Sequence, residues 1–434
     1  MDKMADVLGR AGAWCGQNKY LSAIKNAFQN FMPLTIAGAI GVLWCNVLVN
    51  DQTGLGLFFK PIMALDFLNP AFQAVNFCTI SCITVGITLG IAQEIGVWNM
   101  GAERAGYIPG LVGLAAWLSV TNTSHMVDGA KEAFTGIAGN ELGATGLFTG
   151  MIIGVLSVEL FCFFEKQDAL KIKMPEQVPP GVARAFEVLV PATITLIITA
   201  CIGSACYNLT GLYLNDVIKN GIQGPLGAVG ATIPGVMIIY LVIMLFWLVG
   251  IHGNNMLSAV KEALFTPLAL ENVEAFNKGE TPKNIINMYA LQMWGEFGGS
   301  GVTIGLVIAI MIFGKREDNK AIATLSLVPG LFNINETVTF GIPMVLNPIL
   351  GIPFVVAPLV TIIIGYVLTV IGFCPVACLT VPWTTPPIVF GFLATGANVM
   401  GAVTQAILIV VSTVIYTPFL IAYEKYQNKQ AAEA

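Results

Sequence analysis

The chain has 434 residues, 56% of them hydrophobic and only 10% charged, with a formal net charge of −5. Soluble proteins carry charge on about a quarter of their residues, so water is not the main solvent of this chain. Its basic residues sit in short loops without forming a dense patch, which argues against nucleic acid as a partner.

Residues 1–30 hold Lys3, Arg10, Lys19 and Lys25 but no unbroken apolar core and no small-residue cleavage site, so a signal peptide is not expected. Leu21, Ile24, Phe28 and Phe31 recur every three or four residues, the pattern of an amphipathic helix lying on the membrane surface ahead of the first span. The basic residues place that helix on the cytoplasmic side.

Apolar runs able to cross about 30 Å of hydrocarbon follow at 31–49, 71–95, 107–120 (a short one), 147–164, 186–207, 228–250, 288–314, 351–373 and 398–423. With the N-terminus inside, four crossings put the loop of Lys166, Lys171, Lys173 and Arg184 in the cytoplasm, as basic loops prefer. Lys315, Arg316 and Lys320, and then the basic C-terminal tail, would fall outside unless one more crossing precedes them. That crossing is expected between residues 251 and 286, where apolar runs mix with Lys261, Glu262, Glu271 and Glu274. The reading is an all-α polytopic membrane protein of about ten spans with both termini in the cytoplasm.

Two further apolar stretches are broken by proline: 321–348 by Pro329, Pro343 and Pro348, and 375–396 by Pro382, Pro386 and Pro387. Irregular backbone survives at membrane depth only when packed in protein or lining a wet cavity, so these read as re-entrant hairpins around a substrate site. Apolar loops outside the membrane are the plainer alternative. The glycines Gly298, Gly299, Gly301 and Gly305 read as a close helix approach. Cys78 with Cys82, and Cys374 with Cys378, have helical spacing in apolar segments and read as small buried hydrophobes. No metal site and no cofactor are expected, because His125 and His252 lie far in sequence from either pair.

Four polar features stand against this background. Glu336, in the run from Asn333 to Thr337, is an ionisable group beside a proline-broken hairpin, where its cost in lipid implies a role; the alternative is a loop carboxylate in water. His252, with Gly253, Asn254 and Asn255, follows a span carrying Trp247. Imidazole and amides supply donors and acceptors for sugar hydroxyls, and an indole face stacks on a pyranose; the alternative is a histidine capping a helix. Trp383 and Thr384, between Pro382 and Pro386, suit a sugar site or an interfacial anchor. Glu296, among glycines after Trp294, suits the site or a structural pairing. Gln73, Asn76 and Glu159 read as ordinary hydrogen bonds between helices. No Walker phosphate loop and no zincin histidine pair is present, which excludes an ATP-driven pump encoded wholly in this chain.

Three motifs carry a family resemblance: IHGNN at 251–255, the stretch from NINET to FGIP at 333–343, and VPWTTP at 381–386. Over essentially its whole length the chain resembles enzyme IIC, the membrane component of the lactose, cellobiose and chitobiose family of the phosphoenolpyruvate-dependent sugar phosphotransferase system. The resemblance implies ten transmembrane helices and two re-entrant hairpins in a bacterial plasma membrane. It also implies homodimerisation through an N-terminal domain, 31–220, and sugar binding in a C-terminal domain, 221–434.

At the site, the resemblance implies that His252 and Glu336 meet. Glu336 would accept a hydrogen bond from the hydroxyl to be phosphorylated, and His252 would orient it. Gly253, Asn254, Asn255, Asn335, Trp247, Trp383, Thr384 and Glu296 are the expected substrate-binding residues around them. The implied substrate is a β-linked disaccharide (cellobiose, diacetylchitobiose or lactose), and a phosphocysteine on a separate enzyme IIB would deliver phosphoryl to its 6-hydroxyl. The chain would then be the membrane subunit of a protein-phosphocysteine sugar phosphotransferase. The competing readings are an ion-coupled secondary sugar transporter, with Glu336 or Glu296 carrying a proton, and an intramembrane enzyme acting on lipid-linked sugar.

Overall fold

The structure, a computed structural model, describes residues 10, 13–14, 17–51, 55–125, 133–175 and 177–433. It is built almost wholly from helices; among the described residues the strands are a two-residue pair, Ser124–His125 with Phe134–Thr135. The chain forms two units, one of residues 17–35 and 77–227 and the other of 36–76 and 228–434.

The first helix, α1 (Lys19–Leu43), is continuous through Pro33. The expected surface helix is therefore not a separate element: from Lys19 onward it is the start of the first apolar helix, and residues 1–9 lie outside the described residues. Its buried face is Ala23, Ala27 and Phe31; of the expected stripe Phe31 is buried, while Leu21, Ile24 and Phe28 are half-buried. The reason lies in the helix it meets. Gly86 and Gly90 leave room for the Phe31 ring and for Ala27, where added Cβ atoms would lie 2.2 and 3.1 Å away.

A short helix, α2 (Asn69–Asn76), belongs to the second unit and precedes the break at Cys82; α3 (Ile83–Met100), in the first unit, follows it. The apolar run expected to be one span at 71–95 is thus divided between two helices at Cys82. The break also ends the helical register that was to bring Cys78 and Cys82 together: Cys78 is exposed and Cys82 half-buried, whereas Cys374 and Cys378 are buried as expected. The first unit is completed by α4 (Ile108–Val120), α5 (Ala144–Glu165) and α6 (Pro180–Thr210). Small residues let α3 and α5 approach: a Cβ on Gly150 would lie 2.1 Å from Thr88 Oγ1. At the ends of α5 and α6, Arg104 and Arg184 each pair with buried Glu165 at 2.8 Å and with Glu187 at 2.9 and 2.8 Å.

In the second unit come α7 (Ile233–Leu248), α8 (Ser258–Asn277), α9 (Met288–Gly295) and α10 (Ile304–Phe313). Next are α11 (Glu317–Leu331), α12 (Glu336–Gly341), α13 (Gly351–Val370), α14 (Val389–Ala394) and α15 (Val399–Glu433). Its core is aromatic, with Tyr240, Trp294, Phe297, Phe354 and Tyr416 sealed from solvent. The second unit also takes in 36–76, which the sequence boundary at 31–220 grouped with the N-terminal half; Asn46 there donates to Asn277 at 3.4 Å.

The glycine cluster breaks a helix instead of only easing its packing. Gly298, Gly299 and Gly301 adopt φ of 71°, 86° and 79°, conformations that L side chains avoid, and the run 288–314 bends by 60° there. Gly305 does serve close packing, since a Cβ on it would sit 1.8 Å from Ser412 Oγ. The region expected to hold an extra crossing contains the 20-residue α8. α11 and α12 are joined by a turn over 332–335, and the segment 371–388 has no helix before α14 begins. Among the described residues, five helices are long and apolar enough to cross a membrane, or seven if each bent pair is one span; α4 and α7 are shorter apolar helices.

Candidate functional site

The site lies in the second unit, where three breaks in helical structure converge. The first follows α7: Gly250 turns the chain at φ 81°, and His252 then caps the one-turn helix Gly253–Met256. Its Nδ1 accepts the N–H of Asn255 at 3.2 Å. A neutral imidazole that accepts through Nδ1 carries its proton on Nε2, so the free edge is a donor.

That edge faces Glu336, the first residue of α12, with Nε2 and Oε1 4.0 Å apart and both side chains partly open, 38% and 48% exposed. The separation is too long for a direct hydrogen bond. It suits a hydroxyl that accepts from the imidazole and donates to the carboxylate.

Trp247 lies beneath this pair. Its ring is 4.4 Å from that of His252 and 6.3 Å, edge-on, from Phe354, and the residue is only 2% exposed. The expectation that Trp247 offers a face to sugar is corrected: the last turn of α7 points inward, and the indole supports the imidazole. Gly253 is corrected likewise. A Cβ on it would lie 2.0 Å from the Ile243 carbonyl oxygen, so it is glycine because the short helix presses on α7.

The second break is the glycine loop 296–301, which ties the two motifs together. Asn254 Nδ2 donates to Ser300 Oγ at 3.0 Å and Asn335 Nδ2 to the Ser300 carbonyl at 2.7 Å. Asn335, 4% exposed, is thereby a buried brace and not a surface for ligand. Asn255 is exposed and contributes its N–H to His252. Glu296 opens the loop, with Oε1 accepting from Tyr240 Oη at 2.7 Å and from Lys261 Nζ.

The third break is the segment around Trp383, which is 42% exposed, and half-buried Thr384. Asn333 holds it: its Nδ2 donates to the carbonyls of Trp383 and, at 3.1 Å, Thr385, while its Oδ1 accepts the Gly298 N–H at 2.6 Å. Sequence reading passed over Asn333 as a site-building residue. The available signal was an asparagine before a helix start, the residue type that best tolerates the left-handed conformation seen here, φ 63°. Lys261 and Tyr240 were also passed over, although a lysine within an apolar helix was visible.

Residues 25–358, which include both His252 and Glu336, match the family model described as Phosphotransferase system, EIIC. The chain belongs to this EIIC family. It is 33% identical over 429 residues to the oligo-beta-mannoside-specific EIIC component of Bacillus subtilis (strain 168), covering 98% of this chain and 94% of that one. It is 30% identical over 486 residues to the cellobiose-specific EIIC component of Lactococcus lactis subsp. lactis (strain IL1403), covering 98% of each. Among solved structures it resembles the transporter ChbC, the IIC component from the N,N'-diacetylchitobiose-specific phosphotransferase system. That likeness has a TM-score of 0.88 at 30% identity and covers 97% of both chains. An EIIC component is a membrane sugar permease that works with an EIIB partner, and this chain is one.

Proposed function

We propose that this EIIC carries a β-linked disaccharide and presents its 6-hydroxyl, between His252 Nε2 and Glu336 Oε1, to a phosphocysteine of EIIB. The observation that carries the reading is the partly open 4.0 Å gap between a hydrogen-bond donor and an acceptor-only carboxylate. The specificities of its relatives, oligo-beta-mannoside, cellobiose and diacetylchitobiose, favour this substrate class. A hydroxyl seated there donates to Glu336 and accepts from His252, which leaves an oxygen lone pair for the incoming phosphorus. Trp383 and Thr384 fit at the rim, where a stacking face and a hydroxyl suit the second sugar ring.

The same reading makes α8 the additional crossing, so that ten spans leave both termini in the cytoplasm. It makes the segments around 332–335 and 371–388 the tips of two re-entrant hairpins, and residues 31–220 the dimerisation region. Basic loops flanked by α5 and α6 favour EIIB docking on the cytoplasmic side.

The test is binding of radiolabelled cellobiose, diacetylchitobiose and lactose to the purified protein, wild type against Glu336→Gln and His252→Ala, followed by phosphoryl transfer from phospho-EIIB. One sugar binding without an ion gradient, with both substitutions abolishing transfer, is the expected result. Uptake that requires a proton gradient and proceeds without EIIB would overturn the reading in favour of a secondary transporter.

A further inference from the structure

Lys261, Glu296 and Tyr240 come from α8, the glycine loop and α7, and they form a largely buried polar knot in the second unit. The Lys261 side chain is 8% and the Glu296 side chain 18% exposed. Lys261 Nζ also lies 5.5 Å from the Tyr240 ring centroid, so the cation is held by a carboxylate and an aromatic face together. Removing one member of a buried pair strands the other charge, so such a pair persists where its charge is used or its geometry is needed.

Two features show how it is used. Tyr240 and Lys261 both bond Oε1 of Glu296, and among the described residues no protein donor meets Oε2. Glu296 also opens the loop whose Gly298, Ser300 and Gly299 contact Asn333, Asn254 and Asn335, the residues flanking Glu336 and His252. The knot therefore borders the proposed sugar site and turns one unpaired carboxylate oxygen away from its own partners.

We propose that Glu296, fixed by Lys261 and Tyr240, is a specificity-determining residue whose Oε2 accepts from a hydroxyl or amide N–H of the sugar other than the 6-hydroxyl. Lys261 is its positioning residue: the ammonium keeps the carboxylate an anion and leaves only one oxygen for ligand. An acceptor-only group selects ligands that place a donor at this point and discriminates against those lacking one. The inference rests on the disaccharide reading and adds a second point of recognition to it.

The experiment measures binding of cellobiose, lactose and diacetylchitobiose, and of the monodeoxy derivatives of the one that binds most tightly, to the full-length purified protein. The variants are Glu296→Gln, Lys261→Met and the charge-neutral pair Lys261→Met/Glu296→Gln. Wild type is expected to lose about tenfold in affinity for one derivative besides the 6-deoxy sugar, the worth of a hydrogen bond to a charged group. Glu296→Gln binds the parent sugar about tenfold more weakly and no longer distinguishes that derivative. Lys261→Met binds more weakly still, and the paired substitution recovers to the level of Glu296→Gln, which loss of packing alone would not produce.

Discrimination that survives in Glu296→Gln, or in the paired variant should the single one not fold, overturns the proposal and makes the knot a packing device. A wild type that binds none of the sugars instead overturns the disaccharide reading, and this inference with it.

Discussion

Trp247 and His252 are in tilted ring contact, with centroids 4.4 Å apart and planes inclined by 49°, and the indole is sealed inside while the imidazole edge stays open toward Glu336. The tryptophan thus sets where the histidine donor points. Trp247→Phe keeps an apolar platform but shortens it, so the variant should fold while sugar affinity falls by a few fold. Trp247→Ala should cost about 3–5 kcal/mol of stability, as large-to-small changes of buried aromatics do. Thermal midpoints and sugar titrations on the same preparations check both. Wild-type affinity in Trp247→Phe, with an unchanged midpoint, would show that the ring contact does not orient the imidazole.

Gly253 separates a packing role from a ligand role. A methyl group there meets the carbonyl of Ile243, a backbone atom that cannot swing aside. Gly253→Ala should destabilise by about 1–3 kcal/mol, the usual range for overpacking, and sugar binding should fail along with the fold. Size-exclusion profiles with a thermal ramp test this. A stable Gly253→Ala protein that loses only sugar affinity would return Gly253 to the ligand surface.

The two ends of the proposed hydroxyl-binding pair were legible in the sequence because charge and histidine are rare in an apolar chain. Glu336 and His252 could be picked out by type, although bringing them together required the family resemblance. Apolar length likewise marked most of the helices. What was not legible depends on partners distant in sequence. Trp247 is indistinguishable from a sugar platform until Phe354 is seen beside it, and the glycine run reads as packing until the positive φ values show a break. Asn333 looks like any turn residue until its side chain is found joining two other breaks. The lost division at Cys82 has a simpler cause, since composition does not change across that break.

Asp318 gives the chain a pH dependence outside its apolar helices. The Arg316 guanidinium, bonded to it at 2.6 Å, is the main reason its carboxyl titrates below the ordinary aspartate range. A carboxyl whose folded pKa is depressed contributes stability that is present above its unfolded pKa, about 3.9, and lost as pH falls through the lower folded value. The thermal midpoints of wild type and Asp318→Asn should therefore differ by a constant amount from pH 8 to 5 and converge below about 4. The difference is expected to be small and to shrink with salt, because the pair is exposed. A gap that widens in acid would contradict the ion pair.

Asn333 combines backbone strain with cross-bracing, and two substitutions separate them. Its amide joins the Gly298 N–H to the carbonyls of Trp383 and Thr385, which ties the glycine loop to the second hairpin segment just ahead of Glu336. Asn333→Gly tolerates φ 63° but loses all three bonds, each worth about 1 kcal/mol net. Asn333→Ala loses the same bonds and adds about 1–2 kcal/mol for a non-glycine residue in the left-handed region. Alanine should therefore give the lower thermal midpoint, and both should slow sugar phosphorylation, since Glu336 is carried on the helix that begins three residues later. If the two variants unfold together, conformation at 333 is not strained; if both phosphorylate sugar at the wild-type rate, the brace does not position Glu336.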